Sequence, residues 1–572
     1  MVSDAPPEYN SDLEVTMSQP IIECVPNFSE GRDAAVIDAI ADAIRSVEGV
    51  SLLDVDPGAA TNRTVMTMVG SPSAVLEGAF QGIRKAQELI DMSSHTGAHP
   101  RMGATDVCPL VPVSGIDMDG CAELARTLAE RVGRELGIPI YLYEHAASRP
   151  ERQNLAEVRA GEYEGLPGRV GNPDWTPDFG PDTFNEKSGA TAIGARPFLI
   201  AYNINLNTRN TKKAMKIAAL VREKGIFRKE NGKVIRDADG NGIRDPGVFK
   251  CVKGIGWYIE EYGRCQVSLN LTNYEVSPMH EVLEETRRIA LEEGVIVTGS
   301  ELVGLVPKAA MLWAGRYYLL KEDGNPGVSE TELIDIAISS LGLRDIGDFD
   351  PKSRIIESAI GGDGPLVSMS TRDFVDTLGS SAPAPGGGSV ASLCGAMSSA
   401  LSAMVASLTH GKRGYEEHFQ THCENAEVAQ QLKELFLSDI DNDTAAFNQI
   451  MAAMKLPKKT DEDKAARQSA MDAATRQAIN VPLGVLERSV TAIACAEIAS
   501  TGNKNARSDA GVAGLTAWAC AEGAYYNVYI NLDGFNDEEY ASEVRQRADA
   551  ALETVTSRAF ALIESVRAEL TQ

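Results

Sequence analysis

The sequence predicts a multidomain protein: two α/β subdomains, each an α+β sandwich of the ferredoxin-like kind, followed by an all-α helical bundle. Three observations lead there. The 572 residues exceed what one hydrophobic core can organise, so several compact units are required. As far as Pro351, short apolar runs closed by Pro, Asn or Gly alternate with stretches whose apolar residues recur every three or four positions. From Val367 that alternation stops, and long Ala-rich helical patterns run to Gln572. The resulting division is an acidic, polar, disordered tail over 1–19, subdomains over 20–197 and 198–356, a Gly-rich linker over 357–366, and the helical domain over 367–572. The tail lacks the basic start and apolar centre of a signal peptide.

Taken in order, Pro20–Phe28 reads as a strand feeding a loop, and Asp33–Val47 as a helix. Val50–Asp56 and Thr64–Val69 read as strands, Ser73–Ile90 and Cys121–Gly137 as helices, and Pro139–Tyr143 as a strand. A loop-rich stretch over Gly161–Gly189 leads into the alternating strand Phe198–Leu206. Helix Thr211–Lys224, strand Cys265–Leu271, helix Met279–Glu293 and strand Val295–Thr298 complete the second subdomain. Asp237-Ala238-Asp239-Gly240-Asn241-Gly242 mimics the start of a calcium loop, but Val248 stands where the closing Glu belongs; Asn-Gly turns make a hairpin the better reading. No charged residue falls between Thr377 and Gly411, yet that stretch is Ala, Ser and Gly with two prolines at its front, which suits a buried helix rather than a spanning one.

Composition narrows the function. Fifty-four Lys and Arg against 81 Asp and Glu give a net charge of −27, which argues against nucleic acid or a membrane surface as partner. Nine scattered cysteines, with no CxxC, read as reduced thiols of a cytoplasmic protein, and no metal site is expected.

Two segments concentrate chemistry. His95-Thr96-Gly97-Ala98-His99-Pro100-Arg101-Met102-Gly103 places two of seven histidines on a Gly/Pro-rich loop, with Asp106 just beyond. A histidine there can serve as general acid and base, or can merely bond loop backbone; on the residues alone both readings stand. Ser380–Ala391 is a proline-pinned glycine turn, Gly386-Gly387-Gly388-Ser389, opening a helix. Its free N–H groups can receive oxygens, and its glycines can equally serve close helix packing.

The first run, with Glu23–Gly31, Leu53–Asp56, Thr61–Val65, Arg159–Glu164 and Asp178–Pro181 in the same order, resembles the glutamate formimidoyltransferases, folate enzymes of histidine breakdown, over roughly 20–350. The resemblance implies that His99 is catalytic, taking the proton shed by N5 of tetrahydrofolate and delivering one to the departing glutamate nitrogen. Asp56 then orients His99 or steadies the amidine, and Arg101 holds a substrate carboxylate. It also implies folate contacts in Gly180, Pro181, Asp182, Thr183, Phe184, Asn185, Glu186, Lys187, Ser188 and Gly189, a loop whose centre departs from the commoner pattern. In isolation that stretch reads as an ordinary connection.

The Gly386 run, with Asp441–Phe447, Lys455–Lys458, Arg507–Asp509 and Asn527–Leu532, resembles the formimidoyltetrahydrofolate cyclodeaminases and their relatives, the methenyltetrahydrofolate cyclohydrolases. This implies that Asp443 moves the N10 proton toward leaving ammonia; an unassigned helix Asp would otherwise read as a solvated surface residue. Lys412, Arg413, Lys504 and Arg507 become candidates for the folate's glutamate tail. Together the resemblances imply a fused enzyme that makes 5,10-methenyltetrahydrofolate and ammonia. Tetrahydrofolate, also in polyglutamylated form, is the cosubstrate, no metal is required, the substrates are small molecules, and the chain forms a homo-oligomer through the helical domain. The alternatives are an active transferase whose helical domain only oligomerises, or a cyclohydrolase in that domain.

Overall fold

The computed structural model describes residues 20–571 apart from Ala60, Ala98, His99, Val170, Ala238, Gly361, Gly362, Asp363 and Gly534. The expected tail over 1–19 lies outside them. The chain forms two compact units, one of residues up to 310 together with 341–360, the other of 311–340 together with 361 onward.

The first unit opens with strands Ile21–Cys24 (β1), Asn27–Phe28 (β2), Val50–Gly58 (β3), Arg63–Gly70 (β4), Thr105–Ser114 (β5), Ile140–Glu144 (β6) and Thr191–Ala195 (β7). They form one mixed sheet: β1 and β2 lie between β4 and β5, β3 flanks β4, and β5, β7 and β6 run parallel. Helices Ala34–Arg45 (α1), Pro72–Leu89 (α2) and Met118–Leu136 (α3) cover one face. Each starts on a side chain that satisfies free N–H groups: Asp33 caps α1, Ser71 caps α2 and Asp117 caps α3. Period-two alternation sends Ile22 and Cys24 into the core against these helices and turns Glu23 to the opposite face. Over β5–β7 that opposite face is covered by the 150–189 excursion, with Tyr141 and Tyr143 packed against Val158 and Leu166.

A second sheet follows in the order β–α–β–β–α–β: Ile200–Leu206 (β8), helix Thr211–Val221 (α4), then Val252–Ile259, Arg264–Leu271, helix Met279–Glu292 (α5) and Val297–Val303. Four two-residue strands, Ile226–Phe227 (β9), Lys229–Glu230 (β10), Lys233–Val234 (β11) and Arg244–Asp245 (β12), pair as β9 with β12 and β10 with β11, so the long strands are β13, β14 and β15. The sheet order is β13-β14-β8-β15 with every pair antiparallel. In the calcium-loop mimic, the Asp237 carboxylate is occupied by the backbone N–H groups of Asp239 and Asn241. Ala238 lies outside the described residues.

The second unit is helical. It gathers residues 311–340 of Lys308–Lys321 (α6) and Glu330–Leu341 (α7), then Thr371–Leu378 (α8), Gly387–Thr409 (α9), Phe419–Met454 (α10), Asp461–Ser500 (α11), Arg507–Leu532 (α12) and Glu538–Leu570 (α13). By their contacts residues 311–340 group with the helices of this unit: Arg316 pairs with Glu427 of α10, and Asn325 donates to Ser407 of α9. Small residues set how closely the helices approach. A side chain at Gly395 would collide with the Phe436 ring, and one at Gly514 with Leu562. Serines in α9 return their hydroxyls to helix carbonyls, Ser392 to Gly388 and Ser402 to Ser398. Helices α9 and α11 are long and apolar enough to cross a membrane, and most of each apolar stretch is buried within the protein.

Candidate active sites

Ala98 and His99 lie outside the described residues, so the first site is defined by what holds the segments on either side of them. His95 is fixed from both ring nitrogens. Arg101 Nε donates to Nδ1 at 3.2 Å, and Nε2 lies 2.9 Å from the Asn62 carbonyl. The bond from Arg101 selects the tautomer in which Nδ1 accepts and Nε2 donates to the Asn62 carbonyl. Asn62 also donates to the Thr96 carbonyl and accepts from Gly31 N. It does so at φ +50°, a left-handed conformation that Asn tolerates. Arg101 was expected to hold a substrate carboxylate. Its guanidinium is buried and bidentate on Glu164 at 2.6 and 2.8 Å, with Glu162 at 3.2 Å. Asp106, fully buried, accepts from Met102 N and pairs with Arg159. Asp56 is exposed at the end of β3, opposite Val65, close enough to act on the Arg63 guanidinium. A cavity of about 470 Å³ opens among His95, Thr96, Gly97, Arg101, Glu162 and Glu164.

The 180–189 loop runs against this same segment. Ala104 N donates to the Ser188 carbonyl and Ala190 N to the Met102 carbonyl, while Gly103 and Gly189 form a bridge. Neither glycine has room for a side chain, because each faces the other strand's backbone, and Gly189 sits at φ +65°. Asn185 closes the turn by accepting from Ser188 N, Phe184 packs on Tyr163, and Lys187 donates to the Glu88 carbonyl. Asp182 accepts from Gly171 N, and Gly180 turns at φ +84° beside the Ile138 carbonyl.

A second cavity of about 540 Å³ lies between the two sheets of this unit. Glu23, Asp54 and Thr67 line it from one side and Phe198, Ala201, Arg196 and Arg354 from the other. The sequence placed Glu23 at the head of a motif but gave it no role; the available signal was a carboxylate among apolar strand residues. Burial pushes its pKa up from 4.5 to about 7, and the nearby Arg196 only partly offsets that. The folded state therefore favours the protonated acid. Stability falls as pH rises from the unfolded value of 4.5 to about 7 and is flat above. Glu23→Gln is accordingly expected to raise unfolding free energy at pH 8 by about 3 kcal/mol and to change nothing at pH 4. Denaturant titrations at the two pH values check this, and an equal effect at both would refute it.

The second site joins α9 to α10. Ser389, on the first turn of α9, donates to Asp443 Oδ2 from its backbone N at 3.1 Å and from its hydroxyl at 3.3 Å. The hydroxyl also reaches the Ile440 carbonyl at 2.8 Å. Gly388 lies flush against the Asp443 carboxylate, so any side chain there would displace it. Asn527 of α12 stands beside Gly387, and Gly386 leads into the helix in extended conformation. Burial holds the Asp443 carboxyl above the usual range; the Ser389 bonds act the other way, and neighbouring Asp439 raises it further. Asp441, two residues before, is structural: it accepts from Leu366 N and Val367 N. The basic candidates lie elsewhere. Lys412 bonds Asn503, Arg507 pairs with Glu569, and Lys504 and Arg413 share that end of the bundle. The length of α9 separates them from Asp443 within one chain, roughly 30 Å at 1.5 Å per residue. Among the described residues no His, Cys, Asp and Glu group could hold a metal.

Family models match three stretches: the formiminotransferase domain, N-terminal subdomain, over 21–196; the formiminotransferase domain over 201–361; and formiminotransferase-cyclodeaminase over 370–550. The chain is 43% identical to a formimidoyltransferase-cyclodeaminase of Rattus norvegicus, covering 96% of this chain and 99% of the relative. It is 44% identical to a glutamate formimidoyltransferase of Streptococcus pyogenes over 53% of this chain and 94% of the relative. Its last third is 39% identical to a methenyltetrahydrofolate cyclohydrolase of Methylorubrum extorquens, covering 34% of this chain and 95% of that one.

Proposed function

The chain belongs to the formimidoyltransferase-cyclodeaminase family, and we propose that its two activities run through His99 and then Asp443. It transfers the formimidoyl group of N-formimidoyl-L-glutamate to N5 of tetrahydrofolate, then closes the product to 5,10-methenyltetrahydrofolate with release of ammonia. Tetrahydrofolate enters as cosubstrate and leaves as the loaded carrier.

In the first step N5 attacks the amidine carbon, the bond to the glutamate nitrogen breaks, N5 loses a proton and that nitrogen gains one. His99 carries both transfers. His95 leaves it this role, since its own nitrogens are spent on Arg101 and Asn62. Arg101, spent on Glu162 and Glu164, serves by holding the loop. Asp56 steadies the cationic amidine beside Arg63, and the 180–189 loop, tied to Met102 and Gly103, presents the folate.

In the second step N10 attacks the formimidoyl carbon, its proton passes to the terminal nitrogen, and ammonia departs. Asp443 moves that proton and faces the cation as it forms. One observation carries this assignment: Oδ2 accepts the Ser389 backbone N–H at the opening of α9, with the Ser389 hydroxyl at 3.3 Å shared with the nearer Ile440 carbonyl, while Oδ1 meets no donor among the described residues.

The finer reading extends to assembly and setting. The second sheet's β–α–β–β–α–β order supports a ferredoxin-like description. Val390, Met397, Met404 and Leu408 form an exposed apolar stripe along α9, the surface on which a second copy of the helical domain would seat. Lys412, Arg413 and Lys504 would receive a polyglutamate tail. Free thiols, with Cys24 and Cys108 hydrogen-bonded at 3.5 Å rather than disulfide-linked, fit a cytoplasmic setting.

The test is a coupled assay of the purified chain with N-formimidoylglutamate and tetrahydrofolate, following methenylfolate absorbance and ammonia together. Equal yields of both support the sequence of steps; neither product overturns it.

A further inference from the structure

We infer that the buried Asp439–Arg488 pair positions Asp443 for cyclisation, clamping the turn of α10 that carries it to α11 while Ser389 clamps the same turn to α9. This rests on the role proposed above for Asp443. Asp439 and Asp443 are four residues apart and share one face of α10. Asp439 is 2% exposed and Arg488 of α11 is 7% exposed. Arg488 Nη2 donates to Asp439 Oδ2, and Asn442 donates to the other oxygen at 3.3 Å. One turn earlier the Arg488 guanidinium lies near the Phe436 ring, which fills the space left by Gly395 of α9. Residues 436–443 are therefore gripped from two helices, with the catalytic carboxylate at the end of the grip.

Stability alone gives no reason for this pair. Charges buried in an Ala-rich bundle are commonly matched or bettered by apolar residues of similar volume. The arrangement is also not saturated, since Arg488 Nε is buried without a hydrogen-bond partner among the described residues. What the pair supplies that apolar side chains could not is direction and charge. The guanidinium fixes the orientation of the turn, and the Asp439 carboxylate favours the protonated form of Asp443. The other groups acting on these two are Ser389 on α9, Asn442 on α10 and the thiol of Cys520 on α12, which burial keeps protonated.

The experiment uses the full chain supplied with 5-formimidoyltetrahydrofolate and compares wild type with Arg488→Lys and with the double variant Asp439→Leu/Arg488→Met. The double variant should fold and retain formimidoyl transfer, with the KM for the folate within about twofold. Its cyclisation kcat should fall by about 10- to 100-fold, as small misplacements of catalytic groups do. The acid limb of its kcat profile should move to lower pH, because a negative neighbour of Asp443 has gone. Arg488→Lys, which keeps the charge, should recover most of the rate. A folded double variant with wild-type kcat and an unmoved limb overturns the inference and leaves a structural pair. Asp443→Asn is run alongside: full cyclisation in that variant overturns the role of Asp443 and this inference with it, whereas an inactive Asp443→Asn with an unaffected double variant overturns this inference alone.

Discussion

Asp443→Asn is expected to leave formimidoyl transfer intact and to slow ammonia release by about 10²- to 10⁴-fold, the range associated with a positioned acid–base group. The substitution is isosteric. An amide oxygen can still accept from Ser389 N and Oγ, so the junction of α9 and α10 has no reason to shift. What is lost is the ability to take the N10 proton and release it to the departing nitrogen. Formimidoylfolate should then accumulate while glutamate appears at the wild-type rate. Were the helical domain only an assembly module, ammonia would form at the same rate in both proteins; that outcome would end the case for a catalytic Asp443.

His99→Ala is expected to abolish both products from N-formimidoylglutamate, with transfer reduced by about 10²- to 10⁴-fold. Ammonia release from added 5-formimidoyltetrahydrofolate should nevertheless remain, because the helical unit holds its own site. The loop has reason to survive the truncation. Its entry is held by His95 and by Asn62, its exit by Arg101 on Glu164 and by Met102 N on Asp106. A variant that transfers normally would move the chemistry to another group, and one that also fails on the added intermediate would point to general damage.

The sequence made some parts of this protein plain and hid others for identifiable reasons. Helices α1, α2 and α3 were readable because one apolar stripe runs along each, although α3 begins on its cap Asp117 ahead of the expected start at Cys121. Strand β5 was not. No strand was read there, because Pro109 and Pro112 interrupt its pattern; β5 is nevertheless central, with Pro112 at an irregular register with β1 and the Pro109 carbonyl accepting from Val25 N. Helices α6 and α7 were not read from the sequence at all, and periodicity, which reports a buried face and not what covers it, could not have said which unit they join. The same limit held at the sites. Motifs drew attention to Arg101 and Asp443, but only the structure distinguishes an arginine already saturated by Glu162 and Glu164 from a carboxylate with one oxygen unmet. Asp439 and Arg488 lie 49 positions apart, and neither falls in a motif. Glu23 stayed hidden because a second sheet, distant in sequence, closes over it.

The contact between Gly103 and Gly189 constrains how this enzyme can be redesigned. Two chain segments meet there with no side-chain thickness between them, so neither residue can be exchanged without prising the 180–189 loop from the histidine loop. Libraries aimed at new carriers have their freedom in the exposed Thr183 and Glu186, since Phe184 packs on Tyr163 and Asn185 closes the turn. The two glycines are best treated as a fixed seam, and a designer who wants the loop longer gains by inserting ahead of Asn185 rather than after it.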